Sequence, residues 1–444
     1  WDLDIPVSSL SVTSGYSSTV TFLTDLRVSS GVLLNAGSAA LLDLNGHRLD
    51  VQGDWLAGDM RTTSTVAGSS VAFYGAGISK IKRLTAGPAR FNNLIINKDA
   101  ASGVEERLYS AIEAFGNFTV LKGSHTAGTM VQYLRGDFYL TNGFLDAQTS
   151  TMIFNGSSGQ TASINGSAGG NSIGALFVQN PSWVRFSALP VGVFVASQPA
   201  VKLIFPLAGG DVMTIGSMTV NGQSSSGRIQ LVSPTEGAQG RFDVTVYSSM
   251  SFLYVRYVNS SGGLGLTANS SFNGGNNTNW SFSGGEVRQT RYWQYGGTSS
   301  SASAAGNWAT SGAPSAADYV VFGTTGAADS CLWDLDIPVS SFSVTGAYSS
   351  TVTFLVNMKV SSDVRVDAGA SAMLDLNGHL LEVQGDWIAG DMRTTSTVAG
   401  SSVTFYGAGT SKIRRLTAGP ARFNNLVVNK DAAAGVEERL YSDL

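Results

Sequence analysis

The chain repeats itself. Trp1-Asp2-Leu3-Asp4-Ile5-Pro6-Val7-Ser8-Ser9 returns as Trp333-Asp334-Leu335-Asp336-Ile337-Pro338-Val339-Ser340-Ser341, an offset of 332 residues. The match runs without a gap to Ser110 and Ser442 with about four identities in five. Such an offset is far longer than one turn of any solenoid, so the duplicated object is a whole module that must hold many turns. Arg61 to Ser70 is identical to Arg393 to Ser402, whereas Thr24 to Ala40 has drifted. A fainter repeat of about 80 residues runs inside the module. Gly53-Asp54-Trp55 matches Gly136-Asp137-Phe138, Ser70 to Gly75 matches Thr151 to Gly156, and Phe91, Leu94, Ile96 and Asn97 match Ile173, Leu176, Val178 and Asn180; Leu253 to Tyr257 is a weaker echo.

Within these repeats apolar and small polar residues alternate over short runs, as in Leu10-Ser11-Val12-Thr13, Val20-Thr21-Phe22-Leu23 and Phe242-Asp243-Val244-Thr245-Val246. Period two predicts strands. Turn residues punctuate the runs about every 8 to 12 positions, the spacing of all-β folds. Asn-Gly pairs begin at Asn45, Asn142, Asn155, Asn165, Asn221, Asn273 and Asn377. The best helical candidate, Gly103 to Tyr109, is short enough to read as a loop or a single turn.

Two architectures fit an all-β chain of this kind: a row of antiparallel β-sandwiches, or a right-handed parallel β-helix. Sandwiches of about 100 residues require a linker in every hundred, yet the turn-rich pattern runs unbroken from Val7 to Trp280. The β-helix is therefore expected, with turns of about 20 to 25 residues stacked about 4.8 Å apart, and Val, Ile, Leu and Phe in interior ladders with Asn at the corners. A 332-residue module would then hold about 15 turns and extend about 70 Å. The expected divisions are a β-helix module at 1–282 lacking its start, a Gly/Ser-rich linker at 283–305 with an aromatic knot, and the first half of the next module at 306–444.

Composition agrees with a backbone that turns often. Only 13% of residues are charged, where a soluble globular protein has about a quarter, and 53 are glycine. The net charge of −4 offers no electrostatic footprint for nucleic acid or an anionic membrane. No apolar run reaches the length of a membrane span. One cysteine makes no disulfide framework. The chain begins with Trp and lacks the layout of a signal peptide, so it reads as a segment of a longer precursor.

One stretch resembles a known kind of module. Gly306-Asn307-Trp308, then Ala313-Pro314-Ser315-Ala316-Ala317-Asp318-Tyr319-Val320-Val321-Phe322, then Cys331, and later Leu376-Asn377-Gly378, resembles tandem repeat modules of very large bacterial surface proteins; Gly274-Gly275-Asn276-Asn277-Thr278-Asn279-Trp280 resembles their closing segment. The resemblance implies an adhesin-like or pectin-lyase-like β-helix, exported and used as a stalk, fibre or adhesin, with no catalytic residue and no cofactor.

Candidate chemistry is sparse. His47 and His379 occupy one repeat position after Asn-Gly, and with His125 they read as turn histidines without the spacing of a metal site. Asp2 with Asp4, and Asp334 with Asp336, place two carboxylates on one strand face and are weak Ca²⁺ candidates, since the alternating acidic loop of a calcium site is missing. The densest polar set is Asp54, Asp59, Arg61, Arg83, Arg90, Glu105, Glu106 and Arg107, repeated from Asp386 to Arg439. A polysaccharide lyase would need such groups around one cleft; pairing across turns is the expected role.

Arg291, Tyr292, Trp293, Tyr295 and Cys331 are candidates for contacts between modules or molecules, and exposed aromatics such as Trp183, Tyr292, Trp293 and Tyr295 could stack on sugar rings. Asn117, Asn155, Asn165, Asn259, Asn269, Asn276 and Asn279 stand in Asn-X-Ser/Thr triplets, mostly by chance in so Asn-rich a chain. The sequence thus points to an extracellular structural repeat protein that associates with itself. An adhesin for surface glycans is the second reading and a polysaccharide lyase the third.

Overall fold

The computed structural model describes the chain apart from residues 3, 63–67, 100–102, 165–170, 208–211, 224–226, 236, 285–287, 298, 310–311, 324–327, 396–398, 408, 431–435, 442 and 444. The chain folds as parallel β-solenoid, about 17 turns in all, in two units, 1–223 with 229–285, and 224–228 with 286–444. Among the described residues every pairing between named strands is parallel, from Leu10–Val12 against Val32–Leu34 onward. Among the described residues the sole helical element is a 3₁₀ turn at Ala305–Asn307.

Each turn of the first unit visits three faces. In chain order these are seen in Leu10–Val12, Thr19–Thr21 and Leu26–Val28. The next turn lays Val32–Leu34, Leu41–Asp43 and Arg48–Val51 upon them. Later turns shorten their corners: Phe118–Thr126 runs from the third face into the first, and Phe138–Phe154 passes along all three. Alternation explains the packing, because every second residue points inward and the same inward position recurs in the turn above. On the third face Leu26, Leu49, Val71, Leu94, Phe118, Phe138, Ala162 and Phe186 form one buried column. On the first, Val32, Trp55 and Ile81 do the same.

Corners are held by side chains that reach one turn up. Asn93 Oδ1 accepts from Asn117 N at 2.8 Å, Asn117 Oδ1 from Asp137 N at 3.0 Å, and Asp137 Oδ1 from Thr161 N at 2.7 Å. This is the corner ladder expected from the Asn content. At the Asn45-Gly46 turn both residues have positive φ, 46° and 86°, and Asn45 Nδ2 donates to Phe22 O of the turn below at 3.2 Å.

The second unit follows the same plan. Its first face stacks Thr290–Tyr292, Tyr319–Phe322, Ser341–Gly346, Val364–Ala368, Trp387–Ala389, Ser411–Arg415 and Glu438–Leu440. Its opening layer includes the segment with the aromatic knot: Thr290–Tyr292 pairs with Tyr319–Phe322, and Trp293 is fully buried against Trp308 and Phe322 at 5.3 and 5.7 Å between ring centroids.

Two local expectations are corrected. Glu105–Leu108 is a strand, not a loop or helical turn, because Glu106 and Leu108 point inward while Glu105 and Arg107 lie on the outer side. The 80-residue echo is not a stacking period. Trp55 lies between Val32 and Ile81 on the first face, whereas Phe138 lies between Phe118 and Ala162 on the third. What Gly53-Asp54 and Gly136-Asp137 share is a corner device: each Asp accepts from a strand N–H one turn up, Asp54 from Lys80 N at 3.0 Å and Asp137 from Thr161 N.

Candidate functional site

The residues singled out from sequence scatter over the solenoid. Arg90 and Arg135 clasp Glu113 from the turns below and above, through Nε–O contacts of 3.0 Å each. Glu105 pairs with Arg107 and accepts from Thr126 Oγ1 at 2.5 Å, and hydrogen bonding to Arg107 holds its carboxyl below the usual carboxylate range. Arg83 donates to the Gly58 carbonyl and to Thr85 Oγ1, with Asp59 3.7 Å away. Glu106 points inward instead and meets His125. The polar set is therefore divided between the outer side and the core, paired across turns and, for Glu105 with Arg107, along one strand; the side chain of Arg61 is outside the described atoms.

Asp2 and Asp4 are exposed, Asp334 accepts from Ser303 N and Oγ at 2.8 and 2.6 Å, and Asp336 is exposed. Among the described residues no three His, Cys, Asp or Glu side chains converge as a metal site would require. His47 and His379 do follow turns, their amides donating to Leu44 O and Leu376 O at 2.7 Å each. Asn165 lies outside the described residues. Trp183 is half-buried with its ring over Gly159.

Of the five candidate contact residues, three face inward. Arg291 is fully buried and donates to Asp318 Oδ2 at 3.1 Å. Trp293 donates from Nε1 to Asp329 O at 3.2 Å. Cys331 sits in the column with Val352 and Leu374, and burial pushes its thiol well above the usual range. Tyr292 and Tyr295 are 46% and 38% exposed and remain available at the surface.

Two features escaped the sequence. One is on the outer side of the second face in the first unit, where Tyr133, Ile153, Phe177 and Val195 form one column and Ala175 and Val193 begin another, all partly or wholly exposed. A parallel sheet apolar on both sides is unusual unless its outer side is covered.

The other is polar and lies in the core. Lys98 Nζ donates to Ser79 Oγ at 2.8 Å, Tyr74 O at 3.1 Å and Gln52 O at 3.3 Å, and burial pulls its ammonium below the ordinary lysine range. Nearby, Glu106, His125, Gln132 and Ser150 are all fully buried and joined in sequence. His125 Nδ1 faces Glu106 Oε2, His125 Nε2 is 3.1 Å from Gln132 Oε1, Gln132 Nε2 donates to Ser150 Oγ at 3.3 Å, and Ser150 Oγ donates to Ala147 O at 3.0 Å. His125 is thus a core residue and not a turn histidine.

No family model matches the chain, and neither a curated protein nor a solved structure matches it.

Proposed function

We propose that this chain is a structural repeat protein that builds an extracellular fibre, stalk or sheath by self-association. The observation that carries the reading is that duplicated sequence builds duplicated turns. Val32, Trp55 and Ile81 form one column of the first unit, and Val364, Trp387 and Ile413 form the same column of the second. Lys98 is tied to Gln52 O and Tyr74 O, and Lys430 to Gln384 O and Tyr406 O. Copying a segment therefore lengthens the structure without a new site, which is how a repeat protein grows.

Two further features support association. The end turn of any parallel solenoid carries unpaired backbone N–H and C=O groups, which a following turn satisfies. The apolar outer columns around Ile153 and Phe177 offer a flat face for lateral packing between copies. Electron microscopy of the purified chain over a range of concentrations tests the proposal: rods that lengthen or bundle as concentration rises are expected, and compact particles of constant size contradict it.

A glycan-binding adhesin is the second reading, favoured by exposed Tyr292 and Tyr295. Binding on a glycan array that is lost with Tyr292→Ala supports it. Trp293, being buried, is not the residue to replace.

A further inference from the structure

Glu106, His125, Gln132 and Ser150 stand at interior positions, Glu106 and His125 following buried Ser79 in one column. Gln132 lies between Ile112 and Met152, and His125 is followed in its column by Leu145. Ser150 points inward where the strand register shifts between Ala147 and Thr151. Placing four polar side chains in a core is costly unless their groups are matched, and Glu106 Oε1 has no hydrogen-bond partner.

The groups are those of an acyl-transfer centre. His125 Nε2 lies 3.1 Å from Gln132 Oε1, and a hydrogen on Nε2 polarises the carboxamide. Glu106 faces the other ring nitrogen and fixes the imidazole. Ser150 Oγ donates its own hydrogen to Ala147 O and accepts from Gln132 Nε2, so a lone pair is turned toward the carboxamide. All four residues are 0% exposed. No external substrate reaches them, and any chemistry they perform is on the chain itself.

We propose that Ser150 and Gln132 join as a side-chain ester, formed by the chain with release of ammonia, which staples two successive turns. Ser150 Oγ adds to Gln132 Cδ while the carbonyl pair moves to Oε1 under the His125 N–H. In the tetrahedral adduct the hydroxyl proton turns away from Ala147 O and passes to the former amide nitrogen, which lies 3.3 Å from Oγ and is basic once its conjugation is lost. Collapse restores the carbonyl, breaks the Cδ–N bond and releases ammonia; no oxidant or co-reactant is required. The sealed core then shields the ester from hydrolysis. His125 and Glu106 are the polarising and positioning residues of this step. The inference does not rest on fibre formation.

Intact-mass spectrometry of the purified full chain tests it. The expected mass is that of the sequence less one ammonia. Digestion should yield a branched peptide joining the segment around Gln132 to the segment around Ser150. Ser150→Ala and Gln132→Leu should each restore the full sequence mass. Asn-Gly pairs such as Asn45-Gly46 can also lose ammonia by succinimide formation, so a deficit that persists in Ser150→Ala overturns the proposal. A wild-type chain at full sequence mass overturns it outright, whether or not either variant folds.

Discussion

Trp55 packs against Phe91 with ring centroids 5.3 Å apart, and their counterparts one repeat later, Trp387 and Phe423, pack at 5.1 Å. Two copies that have drifted elsewhere keep this contact inside their turns. It joins the first face to the second across the interior, so it fixes how a turn closes as well as how it stacks.

Replacing Trp55 by Ala should therefore open a cavity at a point where two neighbours in the column, Val32 and Ile81, and Phe91 across the interior depend on it. The expected loss is about 3 to 5 kcal/mol, seen as a lower denaturant midpoint for the first unit. Hydrogen exchange should show the turns containing Val32 and Ile81 losing protection first. A change confined to a few tenths of a kcal/mol would contradict the packing described.

Gly53 is required by close approach and not by unusual backbone angles. Its amide donates to Ser30 O at 2.5 Å, and a Cβ at this position would overlap that carbonyl. Gly53→Ala should destabilise by about 1 to 3 kcal/mol, the usual cost of overpacking. Thermal unfolding followed by circular dichroism checks it.

Asp318 accepts from Arg291 Nε at 3.1 Å and from Ser315 N and Oγ at 3.1 and 3.0 Å, all within the buried opening layer of the second unit. Asp318→Asn leaves a guanidinium buried without its counter-charge, which costs about 3 to 5 kcal/mol. Urea denaturation should show the loss in the second unit, and an unchanged midpoint would rule out the pairing.

Cys331 should be inert while the chain is folded. Burial raises its thiol well above the usual range and removes it from solvent, and both effects suppress the thiolate. Maleimide labelling is expected to be negligible in native buffer and complete in denaturant. Rapid native labelling, or a disulfide-linked dimer under oxidising conditions, would place the thiol at the surface.

Lys98 makes stability depend on pH in a defined direction. Burial lowers its ammonium below the ordinary lysine value, so between the lowered and the ordinary value the unfolded chain binds more protons than the folded one. Stability then rises with pH through that window, and below it the folded state bears the full cost of burying the charge. Denaturation midpoints of wild type and Lys98→Met, compared as the pH is raised toward the ordinary lysine value of about 10.4, should show wild type improving relative to the variant. A constant difference contradicts a buried ammonium.

The parallel solenoid was legible because its determinants are periodic. Alternation around Leu10, Val20 and Phe242 and the unbroken turn pattern to Trp280 left little room for separate sandwiches. The true stacking register was not legible. Trp55 and Phe138 follow the same Gly-Asp corner yet lie on different faces, because turns vary in length and corner chemistry repeats independently of face. The inward placement of Lys98, Glu106 and His125 had a weak signal, since each stands two residues from an inward apolar residue, Ile96, Leu108 and Ala127, but their polarity argues the other way over so short a run. Burial of Arg291, Trp293 and Cys331 likewise follows from pairings across turns that a single run does not reveal.

Electron cryomicroscopy at a resolution that separates strands decides whether successive turns superimpose. Each unit is expected to show three sheets with layers about 4.8 Å apart and Val32, Trp55 and Ile81 in one column. Closed sandwiches, or neighbouring strands running in opposite directions, would remove the basis for lengthening by duplication.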